Sequence, residues 1–255
     1  MAIIQLKFGN FLFGGKVEEW QEILDQKIET QSLINTNGVA LNDPSFVAER
    51  QISIKGSIKG DTIDEVRSKL DSIREAMNQS GLQNLYLYDD RYVKAMKLQY
   101  ADRPVLGSAL FHWVFEATFI SPSSLWISNN LSTSGTVSPT TSPEVILSLT
   151  NNGTAKAPIK VTISAPSGTD ISGFTLKNIT ASPSQTLVYT GIVTKNNAVI
   201  IEEEAAETQR VLNNGTDDVK NLAGRFIDLL PGSNQIQYVG SVQANILIEW
   251  RDRYF

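Results

Sequence analysis

The sequence predicts a mainly β protein: an N-terminal β-domain with one amphipathic helix, followed by a C-terminal β-sandwich. Three observations carry this. Short apolar-polar alternations recur along most of the chain, the period-2 mark of half-buried strands. A helical 3.6-residue apolar period is convincing only once, near residues 61–79. Between Ser128 and Ser142 the composition turns to Ser, Thr, Asn, Pro and Gly, interrupted only by Leu131 and Val137. A run that buries so little apolar surface reads as a linker, dividing the 255 residues into domains at 1–130 and 131–255.

The elements follow in order. "IIQLKF" and "FLF" flank Gly9-Asn10, a pair suited to the positive φ of a tight II′-type hairpin turn. In "RQISIKGSIKG", Ile52, Ile54 and Ile58 alternate with Gln51, Ser53 and Lys55 as a half-buried strand does. The helix "DTIDEVRSKLDSIREAMNQ" has Asp61 as its expected N-cap, Asp64 and Glu65 at the positive end of the dipole, and Gly81 to close it. Its stripe of Ile63, Val66, Leu70, Ile73 and Met77 marks a core-facing side. "YVKAMKLQYA" alternates again. "ALFHWVFEATFI" then sets Ala109, Phe111, Trp113, Phe115, Ala117 and Phe119 against His112, Glu116 and Thr118.

Beyond the polar stretch come strands at short intervals. Val145, Leu147 and Leu149 point inward from one, and Ile159, Val161 and Ile163 from the next. "FTLKNIT", "TLVYTG" and "AVIIEEE" follow, with Asn151-Asn152-Gly153 and Asn213-Asn214-Gly215 as turns. Many strands with dense turns mean a sandwich. Pro231-Gly232 leads into the last strand pair, and Val242, Ala244, Ile246, Ile248 and Trp250 form one apolar row. That row should bind the C-terminal strand into a sheet.

Composition narrows the function. With 22 basic and 27 acidic residues the net charge of −5 gives no basic patch for sequence-specific nucleic-acid binding, and suits a surface that DNA passes without sticking. The chain has no cysteine, which excludes disulfides and thiolate metal sites. Gln5, Lys7 and Asn10 interrupt the apolar N-terminus, so no cleaved signal peptide is expected, and no run approaches a membrane span.

Chemistry is sparse. The single histidine, His112, sits mid-strand, no nucleophile-elbow motif accompanies it, and it reads as a sheet residue. Glu202-Glu203-Glu204 alternate between faces and read as a solvated strand end. "NNGTDD" lacks the ligand spacing of a calcium loop and reads as a turn. Asn-x-Ser/Thr triplets at Asn130, Asn152, Asn178 and Asn214 read as turn chemistry too. No catalytic, cofactor-binding or metal-ligating residue is therefore expected.

Four segments together resemble the distal tail proteins of long-tailed, non-contractile bacteriophages. They are "RQISIKGSIKGDTIDEVRSKLDSIREAM", "FEATFISPSSLW", "NNGTAKAPIKVTIS" and "GRFIDLLPGSNQIQYVG" with its "IEWRDRYF" terminus. The resemblance implies an N-terminal domain that builds a hexameric ring and a galectin-like C-terminal sandwich projecting from it. It implies a structural hub joining the tail tube protein to the tail-tip, tail-associated and receptor-binding proteins, with DNA leaving through the ring. It also implies a place at the tail tip of the virion, after assembly in the bacterial host cytoplasm. The alternative from another class is a carbohydrate-binding module for cell-surface attachment, with Tyr86, Tyr88, Tyr100, Trp126 and Tyr238 as stacking platforms. A glycosidase would need two carboxylates across a cleft and ranks last.

Overall fold

The computed structural model describes residues 6–12, 16–25, 30–32, 39–41, 49–88, 90–105, 111–123, 125–137, 144–203 and 209–255. Residues 3–5, Ala109, Glu204 and residues 138–142 of the polar stretch lie outside these, as does the side chain of Tyr88. Two compact units divide the chain, Met1–Trp126 and Ile127–Phe255.

The first unit contains β1 (Lys7–Phe8), β2 (Phe11–Leu12), β3 (Lys16–Asp25), the hairpin β4 (Thr30–Ser32) and β5 (Val39–Leu41), and β6 (Glu49–Gly60). Helix α1 (Ile63–Met77), β7 (Gln83–Tyr88), β8 (Arg91–Pro104) and β9 (Phe111–Ser121) complete it. The first turn is the II′ type expected: Gly9 has φ +59°, and Lys7 pairs with Leu12 across it. The main sheet runs β2-β1-β7-β8-β9-β6-β3.

That order forces curvature. Laid flat, seven strands span about 29 Å at the usual strand spacing. Yet the two end strands are chain neighbours: β2 stops at Leu12 and β3 starts at Lys16, a reach of at most about 14 Å. The bend falls in β8. Its first residues, Arg91–Ala95, pair with β7, while Met96–Pro104 pair with β9. A bulge between Lys97 and Gln99 marks the change, the device by which one strand turns a sheet corner. Phe8 on one side then meets Phe119 on the other, ring centroids 4.9 Å apart.

Helix α1 covers the inner face. Val66, Leu70, Ile73 and Met77 are buried as the stripe predicts, against a sheet face that buries Ile54, Ile58 and Phe115. Ile63 is 37% exposed, so the buried stripe begins one turn later than its spacing suggests. The caps also differ from expectation. Thr62 is the N-cap, its Oγ1 accepting from Glu65 N at 3.2 Å while Glu65 accepts from Asp61 N at 3.1 Å. This is the reciprocal logic of a capping box, which a β-hydroxyl followed three residues later by Glu completes and Asp61 does not. The helix stops at Asn78, and Gly81, φ +77°, turns the chain three residues later. A two-pronged ion pair from Arg74 to Asp102, 2.8 and 3.1 Å, ties the last helical turn to β8.

The second part of the chain adds β10 (Trp126–Ser128), β11 (Ser132–Thr133), β12 (Glu144–Asn151), β13 (Ala157–Ser164), β14 (Ile171–Asn178), β15 (Gln185–Val193) and β16 (Ala198–Glu203). β17 (Gln209–Asn213), β18 (Thr216–Asp217), β19 (Leu222–Gly224), β20 (Asp228–Leu229), β21 (Gly232–Gly240), β22 (Asn245–Trp250) and β23 (Arg253–Tyr254) follow. Two sheets face each other, β11-β22-β13-β16-β17-β18 and β12-β21-β14-β15-β19. Between them lies one core. Ile159, Val161, Ile163, Val199, Ile246 and Ile248 enter it from one sheet, and Leu149, Phe174, Leu176, Leu187 and Ile236 from the other.

The closing row behaves as read. Ala244, Ile246, Ile248 and Trp250 are buried, with Val242 packed against the same core. The polar stretch does not. Ser132 and Thr133 pair with Trp250 and Glu249, and Val137 bridges Ile246, so this part is an edge strand covering β22. Ladder hydrogen bonds need no apolar side chain, which is why composition alone reads such an edge as linker.

Candidate functional site

The residues singled out for chemistry do not converge. His112 is half-buried on β9 opposite Lys59, and its Nε2 has no hydrogen-bond partner among the described residues. No group of three or more His, Asp or Glu among the described residues could hold a metal ion. Glu202 is not solvated. It is 9% exposed and paired with Arg210, within a cross-strand row that runs Glu249, Lys160, Glu202, Arg210. Lys160 stands 3.5 Å from Glu249 and 4.0 Å from Glu202. Strand register sets unlike charges opposite one another there, a relation invisible to a reading along one strand.

Of the aromatics read as stacking platforms, those whose side chains are described are buried or half-buried. Trp126 is 4% exposed and Tyr238 is fully buried. Tyr86 is half-buried against Tyr92, ring centroids 5.5 Å apart. Tyr100 is half-buried near Asp102, and burial pushes its hydroxyl above the ordinary tyrosine range. An aromatic that stacks on sugar must face solvent, which Trp126 and Tyr238 do not.

The asparagines hold a larger surprise. Asn214 and Gly215, φ +50° and +77°, do form a two-residue I′ turn between β17 and β18. Asn151, Asn178 and Asn234, however, are all buried, at 1%, 0% and 0% exposure. Asn151 and Asn178 end β12 and β14, Asn234 is the third residue of β21 in the same sheet, and all three bind the main chain of Asp228–Leu230 as it leaves the other sheet. Asn151 Nδ2 donates to Leu229 O at 3.1 Å, and Asn178 Nδ2 to Asp228 O at 2.8 Å. Asn234 accepts from Leu230 N at 2.8 Å and donates to Leu230 O at 2.7 Å and Gly232 O at 2.9 Å. A chain crossing between sheets leaves peptide groups without ladder partners, and carboxamides, with both donor and acceptor, satisfy them. "LLPGSNQIQY" is thus written around Asn234. Asn178, buried at a strand end, is no glycosylation acceptor and more than a turn residue.

The remaining distinctive geometry is at sheet edges. In the first unit β3, ten residues long, pairs only with β6 among the described residues. At the other side of the four-stranded part β8 is not a free edge, since β7 pairs with it as far as Ala95 and a further short strand also pairs with it. Neighbours alternate in direction across β3, β6, β9 and β8. The face away from α1 is polar: Glu19, Lys55 and Glu116 form one cross-strand row, and Gln21, Ser53, Thr118 and Gln99 the next. A sheet with a helix on one face, a polar opposite face and an edge strand, β3, that has no outward partner among the described residues is geometrically suited to lateral growth.

Known proteins share part of this chain's sequence pattern and its fold. Residues 152–254 match the family model of the siphovirus-type tail component, C-terminal domain. The crystal structure of the SPP1 Dit (gp 19.1) protein, described as a paradigm of the hub adsorption apparatus in phages infecting Gram-positive hosts, is similar over 100% of both chains, at TM-score 0.67 and 12% identity. The tail of an empty GTA particle, solved with C6 symmetry, gives TM-score 0.29 and 9% identity over 48% of this chain and 92% of that one. No curated protein matches in sequence. The resemblance to distal tail proteins is therefore shown: over residues 152–254 the chain carries the siphovirus-type tail component domain, and over its whole length it has the fold of the SPP1 Dit protein.

Proposed function

We propose that this tail component is a distal tail hub: a hexameric ring joining the tail tube protein to the tail-tip, tail-associated and receptor-binding proteins, with DNA passing through. Residues 1–130 make the ring and residues 131–255 form a galectin-like sandwich. It acts at the virion tail tip after assembly in the host cytoplasm, and it catalyses no reaction. The observation that carries the reading is the long β3 edge of the first unit's antiparallel sheet, which has no outward partner among the described residues. Four strands per copy is an even number, so β3 of one copy placed beside β8 of the next keeps every neighbour antiparallel. Such head-to-tail contacts are heterologous and close into a ring when the rotation fits. The likeness to a hub protein and the net charge of −5 support it.

Native mass spectrometry tests the stoichiometry, with about six times the 28.1 kDa of one chain expected. The edge is tested by Gln21→Pro and Glu22→Pro, at adjacent β3 positions that pair with Ser53 and Ile52. One of two adjacent N–H groups points to β6 and the other outward. One variant should therefore melt early, and the other should stay folded but lose the ring. A folded outward variant that keeps the full assembly mass would refute edge pairing.

A further inference from the structure

The tetrapeptide Asn-Asn-Gly-Thr occurs twice in the second unit, at 151–154 and 213–216, where its first Asn ends β12 and β17. Identical residues in two settings isolate what the fold does to them. The chemistry at stake is that of Asn followed by Gly. Glycine has no Cβ to screen its amide nitrogen, so that nitrogen can reach the carboxamide carbon of the preceding side chain. Asn37-Gly38, a further Asn-Gly pair, lies outside the described residues.

The first copy is held shut. Gly153 N donates to Asn151 Oδ1 at 2.9 Å, Asn152 N to Asp252 Oδ1 at 3.2 Å, and Thr154 N to Arg253 O at 2.9 Å. Gly153 is buried, and a methyl built on it would overlap the main chain of Arg253. The Asn152–Gly153 peptide cannot rotate without detaching the C-terminal segment.

The second copy is open. Asn213 Nδ2 turns away from Gly215 and donates to the Tyr189 hydroxyl oxygen and to Ile192 O, each at 2.9 Å. Among the described residues no hydrogen bond reaches Gly215 N. Asn214 and Gly215 are exposed, and nothing lies within 4 Å of where a Gly215 Cβ would stand. The chain returns through a ladder of only two pairs, Leu212 with Asp217 and Asn213 with Thr216. Asn214 also sits at φ +50°, a region disfavoured for L-residues, so opening the turn relieves strain.

We propose that Asn214 is a site of spontaneous deamidation, and that Asn152, in the same tetrapeptide, is protected by the fold. The Gly215 nitrogen gives its proton to solvent base and attacks Asn214 Cγ. An N–Cγ bond forms, the Cγ–Nδ2 bond breaks, and Nδ2 takes a proton from water and leaves as ammonia. Water then opens the cyclic imide. Cleavage of the N–Cγ bond gives aspartate, and cleavage at the original main-chain carbonyl gives isoaspartate, which lengthens the main chain by one carbon. Either product adds a carboxylate near Asp217 and Asp218. The lengthened one also shifts the turn that sets Asp218 2.6 Å from the Tyr189 hydroxyl. None of this depends on ring formation.

Peptide mapping by mass spectrometry tests it, on the full chain held folded in mildly alkaline buffer, by reading the exchange of NH₂ for OH at each asparagine. Asn214 should convert about a hundredfold faster than Asn152, the factor that three net hydrogen bonds carry. In urea the two should convert at like rates, since their immediate sequence is the same. Asn214→Gln, whose longer side chain disfavours the ring closure, should abolish conversion in that peptide and so assign it to Asn214 and not Asn213. Equal conversion of both sites in the folded chain overturns the proposal, as does an unmodified Asn214 once the chain in urea has converted. Conversion that persists in Asn214→Gln overturns it too, and unequal rates in urea would assign the difference to sequence and do the same.

Discussion

Replacing Asn234 with Ala removes a fully buried side chain whose four hydrogen bonds are all intramolecular. Leu230 loses a partner at both its N–H and its C=O, Gly232 loses one at its C=O, and Asn178 loses the 3.2 Å bond to Asn234 Oδ1. At about 1 kcal/mol net apiece the four contribute about 4 kcal/mol. That is a large share of the roughly 5–15 kcal/mol of a typical domain. Asn234→Asp sharpens the test. It preserves shape and the acceptor that faces Leu230 N, but turns the former NH₂ position, between two carbonyls, into a carboxylate oxygen. Burial and the facing carbonyls raise the introduced carboxyl's folded pKa above its unfolded value of about 3.9. A raised folded value means stability present below about pH 3.9 and lost as pH rises through the folded pKa. Urea unfolding of the three proteins at pH 7 and pH 4, with the wild-type pH dependence subtracted, measures both effects. An Ala variant that loses less than about 1 kcal/mol, or a carboxyl variant equally penalised at both pH values, refutes the account of Asn234 as the partner of the crossing chain.

Other expectations follow from single contacts. Trp250→Ala should cost about 3–5 kcal/mol by truncation of a core side chain, and it also strips Asp252 Oδ1 of a 3.1 Å indole donor. The transition of the second unit should fall while that of the first stays, as read by calorimetry. Tyr189→Phe should cost about 1.5–3 kcal/mol, since its hydroxyl bonds a carboxylate. Tyr238→Phe should be neutral or stabilising by up to about 1 kcal/mol, because its buried hydroxyl, pushed up to about 12 by burial alone, has no partner among the described residues. Gly240→Ala should cost about 1–3 kcal/mol by overpacking, as a methyl there would run into the Tyr238 ring and hydroxyl. Denaturant midpoints of these variants decide each case.

The residues that sequence reading places well are those whose role is local. Ile52, Ile54 and Ile58 alternate, Val66 to Met77 repeat at helical spacing, and both patterns bury as read. What is illegible depends on pairing across long separations. Glu202 looks like part of an acidic run until register sets Lys160 and Arg210 beside it. Asn178 and Asn234 lie 56 positions apart and touch only because β14 and β21 are neighbours. Tyr238 alternates with glutamines on its strand, which says that one face is dry but not which. Thr62 escapes notice as a cap for a smaller reason: Asp61 has a cap propensity at least as high, and only the spacing to Glu65 separates them.

The edges of the sheets bear on why the two units differ in kind. An exposed strand edge invites pairing, and folded proteins ordinarily shorten or cover it. The second unit follows that rule at three of its four edges: β11 and β18 have two residues each and β19 three. The exception, β12, has eight and puts Glu144, Ile146, Ser148 and Thr150 on its outward side. β11 itself shields the last long strand, β22, from solvent pairing. Among the described residues the first unit breaks the rule with the ten-residue β3. A solitary domain gains nothing from a long open edge and risks aggregation by it. On the ring proposal β3 is the edge that pairs between copies, while β12 is a second long edge that has to stay unpaired.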